Sequence, residues 1–385
     1  MDELRGSSGT RADVWHVAMK NQVRLIHVTA ELPPTVGGVA DYSVILTRRL
    51  VKESSTPVET VFIRAGRTER REDPQAEYPV RDLHGRTSTA ALAETIAQLE
   101  EKAKGPAVVL LEYSGYGYAK RGAPLWLVRG LNRVCGEGKI SLVTVFHEIS
   151  ASGPFWSSAF WLAPLQRWIS KALLRLSRAA LVNRPHGAKQ LQAWSDGTTE
   201  TSFRPVFSNV GEPEEHVPFD DRSHYAVAFS GADEKDTLYA HSDQLRRIFE
   251  ANGIDRVIDI GAPPKSSPSS PVQHDVQGVQ PAETIGQWLQ RARIGLAYRR
   301  LDLLPKSGVV AAYLAHGVPP VVLPNGTTEH PPVLSHGRHY VDLNRNGVQR
   351  IDWREVSRQG YAWYQEHAHS QNAARDVLRA IHQAV

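Results

Sequence analysis

Two adjacent glycines, Gly37 and Gly38, lie where an apolar segment gives way to a helical pattern. Residues 23–30 have the composition of a buried strand, and the helical pattern covers residues 39–52. Glycine at such a junction lets main-chain N–H groups approach a ligand closely, and the helix adds the partial positive charge of its N-terminus. A diphosphate is the natural partner. The alternative is a tight turn that requires a positive φ, and the pattern alone does not decide between them.

Polar side chains also follow two later apolar segments. His147 and Glu148 end one of these segments, and Glu112 and Tyr113 end the other. If both segments are parallel strands of one sheet, these side chains lie at its carboxyl edge, where doubly wound folds bind their ligands. We interpret His147 and Glu148 as site residues, although a histidine can also simply end a strand. Glu112 and Tyr113 are candidates on the same ground.

The elements that must position these residues alternate between strand and helix. Strands are predicted over residues 23–30, 57–63, 107–112, 140–147, 180–183 and 205–209, and helices over 39–52, 88–104, 124–134, 160–178 and 186–194. Near-continuous apolar strands, each followed by a helix, predict a parallel sheet covered on both faces. Residues 21–210 are therefore predicted to form a doubly wound α/β domain.

A second alternating series follows a segment rich in proline and acidic residues. That segment, residues 211–224, is predicted to be a linker, and residues 225–352 to form a second Rossmann-like domain, with a helix near residues 238–251. Residues 353–385 are polar and helical, and their packing back onto the N-terminal domain is left open. Two such domains predict a cleft between the carboxyl ends of two parallel sheets.

Size and composition limit the possible functions. A chain of 385 residues fits two domains, and its formal charge of +4 suits anionic small molecules or an anionic membrane surface. Basic runs and RNA-binding signatures are absent from the sequence, which disfavours nucleic acid, and the absence of Gly-x-Gly-x-x-Gly after a strand disfavours a dehydrogenase. A single cysteine, Cys135, suits a reducing cytoplasm. Residues 1–20 lack a signal-peptide core and are predicted to be a mobile lead-in.

Four segments occur in the order found in GT-B glycosyltransferases. AELPPTVGGVADYSVILTRRL is similar to the glycine loop that opens the retaining enzymes of family 4. VFHEIS ends a late strand, FSNVGEP lies at the domain crossing, and KSGVVAAYLAHGVPPVVL resembles a donor-binding helix with its following strand. The resemblance spans roughly residues 23–323 and implies a GT-B fold: two Rossmann-like, doubly wound parallel-sheet domains facing a cleft.

This resemblance implies a cytoplasmic enzyme that transfers a sugar from a nucleotide-sugar to a polysaccharide, lipid-linked or small-molecule acceptor, with retention and without a metal. The donor-binding residues that it implies are Gly37, Gly38, Lys235, Arg299, Arg300, Lys306, Ser307 and Gly308. On the acceptor side it implies Asp41, Tyr42, Glu112 and Tyr113, and as catalytic residues His147, Glu148 and Lys306. A cation and a hydroxyl at a helix start suit the charge of a departing phosphate.

The chain also departs from the family. Two glutamates eight positions apart usually flank the donor helix, the second binding the nucleotide ribose, and alignment on Gly317 puts Leu304 and Ala312 there. Ala232 occupies the position of a family arginine. Two alternatives therefore stay open: an enzyme like the nucleotide-sugar 2-epimerases, and a catalytically degenerate GT-B subunit that only binds a ligand or partner.

Two further features have competing interpretations. The segment Ala159–Arg178 is a basic amphipathic helix, which suits peripheral contact with the inner membrane surface, or a core helix with a solvated basic face. The sequences EHAH and HGRH, residues 366–369 and 336–339, lack a recognised zinc spacing, so we predict solvated histidines rather than a metal site.

Overall fold

The computed structural model describes residues 22–35, 37–67, 76–83, 85–136, 138, 140–151, 156–266, 272–328 and 332–383. The predicted lead-in, residues 1–20, lies outside these ranges. The chain divides into two compact units. Unit 1 takes its residues from Met1–Val182, Gly187–Ser202 and Ala374–Val385, and unit 2 from Asn183–His186 and Phe203–Ala373. The predicted linker, residues 211–224, lies within unit 2.

Unit 1 is built around a seven-stranded sheet with the order β3-β2-β1-β4-β5-β6-β7. Its strands are β1 Val23–Thr29, β2 Val58–Arg64, β3 Val80–Asp82, β4 Ala107–Tyr113, β5 Ser141–Phe146, β6 Ser177–Val182 and β7 Glu200–Phe203. The interior strand β1 is buried along its whole length and pairs in parallel with β2 and β4. Burial on both faces explains why its sequence is a nearly continuous apolar run.

Helices cover this sheet. They are α1 Gly38–Glu53, α2 Thr89–Glu101, α3 Gly115–Tyr118, α4 Leu125–Cys135, α5 Ser158–Leu176 and α6 Pro185–Ser195. Serine hydroxyls cap two of them: Ser88 accepts from the Ala91 amide at the start of α2, and Ser157 accepts from the Phe160 amide at the start of α5. Each cap satisfies an amide that the first helical turn leaves without an internal partner.

Unit 2 contains a six-stranded sheet with the order β10-β9-β8-β11-β12-β13. The strands are β8 Tyr225–Phe229, β9 Arg256–Ile260, β10 Gln273–Gly278, β11 Ile294–Arg299, β12 Pro320–Pro324 and β13 Val341–Asp342. The remaining helices of the chain are α7 Ala232–Tyr239, α8 Ser242–Asn252, α9 Ala282–Arg291, α10 Gly308–Ala315, α11 Trp353–Trp363 and α12 Ser370–His382, and most of α12 belongs to unit 1. The two parallel-sheet α/β domains predicted from the sequence are confirmed.

Some element predictions are wrong at the sheet edges. Residues 205–209 form no strand, and the edge strand on that side of the unit 1 sheet is β7, which precedes Pro205. Proline lacks the N–H that a ladder requires, which favours the strand ending before it. Strand β10 was missed because it is polar and half-exposed, and the single helix predicted near residues 238–251 is the pair α7 and α8. Among the described residues, no helix is sufficiently long and apolar to cross a membrane.

One buried arginine joins the ends of two helices in unit 2. The Arg222 guanidinium donates to the Leu289 and Ala292 carbonyls at the end of α9, at 3.4 and 3.0 Å, and to the His316 carbonyl at the end of α10, at 2.6 Å. Helix ends leave carbonyls without internal partners, and a cation also suits the negative end of the helix dipole. Arg222 therefore fixes the C-terminal end of α10, the helix whose N-terminus carries Lys306 and Ser307.

The buried imidazole of His316 should make the folded protein less stable in mild acid. The His316 side chain is buried, and its Nδ1 lies 2.8 Å from the Ala312 carbonyl. Burial and the nearby Arg222 charge lower the pKa of His316 from 6.5 to about 4, although the Ala312 carbonyl and Glu212 act in the opposite direction. Because the folded pKa lies below the unfolded value, the unfolded chain binds the proton more readily. Stability is therefore complete above about pH 6.5 and falls towards pH 4, by about 3 kcal/mol from this group.

Urea unfolding of the wild type and of His316→Asn at about pH 7 and about pH 4.5 checks this expectation. The substitution is expected to destabilise the protein at neutral pH and to cost much less at the lower pH. An equal cost at both values would contradict it.

Candidate functional site

The glycine pair lies at the start of α1, after the carboxyl end of β1. Gly37 caps the helix with φ −174° and ψ 139°, an extended conformation open to any residue, and Gly38 is the first helical residue. Neither glycine has a positive φ, so the tight-turn alternative is wrong. A Cβ on Gly37 would lie 2.9 Å from Oε2 of Glu31, whereas a Cβ on Gly38 would meet nothing within 4 Å. A carboxylate beside Gly37 suits a sugar hydroxyl better than a phosphate.

A chain of buried polar side chains crosses the sheet of unit 1. The hydroxyl of Thr47 lies 2.8 Å from Nδ1 of His27, and Nε2 of His27 lies 3.0 Å from Oε1 of Glu112. The other carboxylate oxygen, Oε2 of Glu112, lies 2.7 Å from Nε2 of His147. All four side chains are buried, His147 being 6% exposed and the other three fully buried. We call this set the His–Glu–His chain.

The ionised state of Glu112 identifies the hydrogen-bond donors to it in the His–Glu–His chain. Burial raises the pKa of Glu112, but the hydrogen bonds from His147 and His27 outweigh it and hold the pKa below its ordinary value. An ionised carboxylate only accepts, so Nε2 of each histidine donates to it. The other ring nitrogen of His27, Nδ1, shares a hydrogen bond with the Thr47 hydroxyl. For His147, the hydrogen bond to Glu112 fixes the ring and leaves Nδ1 as the nitrogen for a ligand.

The remaining predicted residues of unit 1 divide by burial. Asp41 and Glu148 are half-exposed, and the Ser114 hydroxyl lies 3.5 Å from Oε2 of Glu148. Tyr42 is buried with its ring 5.0 Å from that of His147, edge to face. Tyr113 is also buried. The structure therefore does not support direct acceptor contact by Glu112 or Tyr113: Glu112 instead positions His147.

In unit 2, the start of α10 carries three of the predicted donor-binding residues. The helix follows β11 through the 3-10 turn Leu301–Lys306, so its N-terminus lies just beyond the carboxyl end of that strand. Ser307 caps the helix, its hydroxyl accepting from the Val310 amide at 3.3 Å. Lys306 is half-exposed, and a Cβ on Gly308 would have only an ordinary contact, 3.9 Å from Asn209. A cation, a hydroxyl and a helix N-terminus thus occur together.

The two positions of the missing glutamates are both interior. Leu304 is 1% exposed and Ala312 is fully buried. A carboxylate at position 312 would be placed in an apolar environment without a partner, which is costly. The substitutions thus belong to a locally apolar packing arrangement, and a ribose contact of the family type is not made from these positions.

Lys235 does not lie where a donor could reach it. Its side chain is fully buried, its ammonium forms an ion pair with Asp259, and it donates to the Ala262 carbonyl at 2.8 Å. Asp259 also accepts from the Tyr239 hydroxyl at 2.6 Å. The structure therefore does not support Lys235 as a donor-binding cation. It neutralises a buried aspartate that the sequence pattern did not connect with it.

The arginines after β11 are partly engaged. Arg299 forms an ion pair with Glu234, and Arg300 makes a two-point contact with Asp302, Nε to Oδ1 at 3.1 Å and the terminal nitrogen to Oδ2 at 2.7 Å. Both arginines retain about a quarter of their side-chain exposure, 26% and 27%. The pair of Arg299 with the half-exposed Glu234 is weak, so a phosphate can compete for Arg299, whereas the two-point contact of Arg300 with the buried Asp302 is stronger.

Three histidines of the two clusters, residues 336–339 and 366–369, accept hydrogen bonds from main-chain amides. The prediction that these histidines are solvated is therefore wrong in part. His339 is buried, and its Nδ1 accepts from the Ser335 amide at 2.9 Å. His336 accepts from the Asp342 amide at 3.0 Å, and His369 from the Gln371 amide at 3.2 Å. Each imidazole satisfies an N–H in an irregular segment.

Sequence reasoning missed His27 and Thr47. The available signal was the position of His27 in the middle of VRLIHVT, a strand predicted to be buried on both faces. A polar side chain at such a position requires buried partners, but the sequence does not say which. Those partners come from α1 and β4, so only the folded chain identifies them.

Comparisons with known proteins identify the fold. No family model and no curated protein matches this sequence. A solved structure of an alpha-glucosyltransferase in complex with UDP is similar at 10% identity and a TM-score of 0.57, covering 93% of this chain and 99% of that one. A UDP-forming trehalose-phosphate synthase from Burkholderia xenovorans, in complex with glucose-6-phosphate, has 11% identity, a TM-score of 0.54 and coverage of 94% and 99%.

A UDP-N-acetylglucosamine 2-epimerase is similar to the same extent. It has 12% identity, a TM-score of 0.54 and coverage of 93% of this chain and 95% of its own. These likenesses extend over nearly the whole chain and show that it has the GT-B fold. The fold supports several chemistries, and the choice among them depends on the site.

Proposed function

We propose that this protein is a glycosyltransferase that moves a sugar from a nucleotide-sugar donor to an acceptor, with retention and without a metal. The observation that carries the proposal is the start of α10, where Lys306 and the capping Ser307 immediately precede a helix N-terminus beyond the carboxyl end of β11. Ligands of parallel α/β sheets bind at that edge. Nucleotide-sugar chemistry requires such a group because a diphosphate must leave with its negative charge stabilised.

In unit 2, Lys306, the first amides of α10 and Arg299 bind the donor diphosphate. In unit 1, Nδ1 of His147, oriented by Glu112, offers a hydrogen bond to a sugar hydroxyl, and Gly38 leaves space beside α1. The bond from the anomeric carbon to the phosphate oxygen breaks as the acceptor oxygen bonds the same face, and the acceptor proton passes to the departing phosphate. We assign Asp41 to the acceptor side and Glu148 to catalysis.

Two readouts test the proposal. The protein is incubated with a panel of nucleotide-sugars, with and without oligosaccharide, lipid-linked and small-molecule acceptors, and nucleotide release is followed. Calorimetry measures nucleotide binding separately. We expect release of nucleotide, retained activity after chelation of metals, and an α-linked product from an α-linked donor by NMR. Conversion of the donor sugar to its epimer without any acceptor would instead favour the 2-epimerase alternative. Absence of nucleotide binding would favour a degenerate subunit.

Lys306→Met is expected to reduce kcat about 100-fold while changing KM much less, because the negative charge on the leaving phosphate is greatest in the transition state. Methionine keeps most of the side-chain length and removes only the charge. Lys306→Arg should retain part of the activity, and Arg246→Met, a control on the exposed face of α8, should retain all of it. Equal kcat values for Lys306→Met and for the control variant would exclude a role for Lys306 in leaving-group departure.

A further inference from the structure

The outward side of α5 combines large aromatic side chains with cations. Trp161 is 72% exposed, Trp168 is 55% exposed and Phe160 is 46% exposed. Arg167 and Arg175 are exposed on the same helix, and Lys171 lies half-exposed between them. Trp161 and Trp168 are seven positions, about two turns, apart, and the other four residues lie next to them or follow at steps of three and four positions, which places all six on one helical face. We call them the basic aromatic face.

The opposite side of α5 packs into unit 1. Ile169 and Leu173 are fully buried, and Leu165 and Leu176 pack against the same apolar core. The helix is therefore held in place by its apolar stripe, as the core-helix interpretation expects. That interpretation accounts for the cations as solvated residues, but it does not account for three large aromatic side chains exposed beside them.

A groove of about 530 Å³ continues this face between α5 and α4. Arg129 and Asn132 of α4 and Trp168, Lys171 and Arg175 of α5 line it. Neither α4 nor α5 contains an acidic residue. In the part of the chain that the structure describes, Arg129, Arg167 and Arg175 form no ion pair with a carboxylate, and the Lys171 ammonium lies over the Trp194 ring, 5.0 Å from its centroid.

We propose that the basic aromatic face docks onto an anionic phospholipid bilayer. Exposed tryptophans are favoured at the boundary between headgroups and acyl chains, where one part of the ring is apolar and the N–H remains hydrated. Arginine and lysine beside them bind lipid phosphates, and the groove between α4 and α5 offers three cations to one headgroup. Charge and aromatic residues on one face of a surface helix are the combination that interfacial binding requires.

Vesicle co-sedimentation of the full-length protein tests this docking. Vesicles of phosphatidylcholine alone are compared with vesicles containing about 30 mol% phosphatidylglycerol, at low and high salt. We expect binding to the anionic vesicles, weaker binding at high salt and little binding to pure phosphatidylcholine. Brominated acyl chains should quench tryptophan fluorescence, because the rings enter the bilayer boundary rather than remain in the ion layer above it.

Two variants assign the binding to this face. Arg167→Gln/Lys171→Gln/Arg175→Gln removes three charges and should weaken binding on the order of 100-fold, about fivefold for each cation. Trp161→Ser/Trp168→Ser should abolish quenching by brominated lipid and weaken binding about tenfold or more. The control, Arg246→Gln/Arg247→Gln/Arg350→Gln, removes the same charge from exposed positions of unit 2 and should bind as the wild type does. Circular dichroism and urea unfolding confirm that each variant folds.

The alternative occupants give different results. If the face binds a polyanion such as duplex DNA or an acidic polysaccharide, heparin and DNA will bind in a manner that depends on Arg167, Lys171 and Arg175, and anionic vesicles will not bind. That outcome would overturn the proposal, as would vesicle binding equally weakened by the control. The proposal is independent of sugar transfer: vesicle binding is measured without substrate, so a failed transferase assay leaves it intact.

Discussion

Glu112→Leu is expected to lower the free energy of unfolding by about 3–5 kcal/mol, the usual cost of removing one partner from a buried charged network. The carboxylate is the shared acceptor for His27 and His147, and its loss leaves two buried imidazole N–H groups without that acceptor. Urea unfolding near neutral pH measures the loss. Glu94→Leu, on the exposed side of α2, is the control, and a surface change there should cost within about 0.5 kcal/mol.

Glu112→Gln separates stability from positioning. The amide can accept from one histidine and must present its N–H₂ to the other, so His147 loses either its acceptor or its fixed orientation. We expect a smaller loss of stability than for Glu112→Leu, but a fall in kcat of about tenfold or more once a substrate is known. Full activity in Glu112→Gln would show that the carboxylate supports only the fold. A destabilisation by Glu112→Leu no greater than that of Glu94→Leu would contradict the buried network itself.

The interior of the fold was predictable because local patterns encode burial on both faces. Strands β1, β4 and β5 are apolar runs with a clear following helix, and each was placed to within a few residues. The edge strands β3 and β10 have mixed polarity, and each pairs with only one neighbouring strand. Nothing local distinguishes such a segment from a loop, so these strands could not be found.

The candidate site was predictable only where it depends on element junctions. The glycines before α1 and the Lys306–Ser307 pair before α10 follow from chain order and lie where expected. Whether a charged residue is accessible depends instead on partners elsewhere in the chain. Lys235 is buried with Asp259 from the next strand, and His27 bonds Glu112 across 85 positions of sequence. No single-sequence pattern specifies such pairings.

Arg222→Met is expected to destabilise the protein by about 3–5 kcal/mol, through the ends of α9 and α10 rather than through any ion pair. The Leu289 carbonyl also accepts from the Ala292 amide, so it keeps a partner, but the Ala292 and His316 carbonyls lose the charged donor that reaches them. A buried acceptor left in this way costs about 1–3 kcal/mol, and the lost charge–dipole interaction adds to it.

Desolvation of the buried guanidinium opposes the stabilisation that its hydrogen bonds to the two helix ends provide. Burial lowers the pKa of Arg222 from 12.5 to about 10, so the guanidinium stays charged at neutral pH although its burial costs stability. Methionine removes that cost, yet the two carbonyls cannot rehydrate, so we expect the loss to dominate. Arg222→Lys should fall between, since one ammonium cannot span both helix ends as the planar guanidinium does. Urea unfolding measures the stability of Arg222→Met, of Arg222→Lys and of the control Arg247→Met, which lies on the exposed side of α8. A neutral effect of Arg222→Met would mean that desolvation outweighs the carbonyl contacts, and that α10 is positioned by its apolar packing alone.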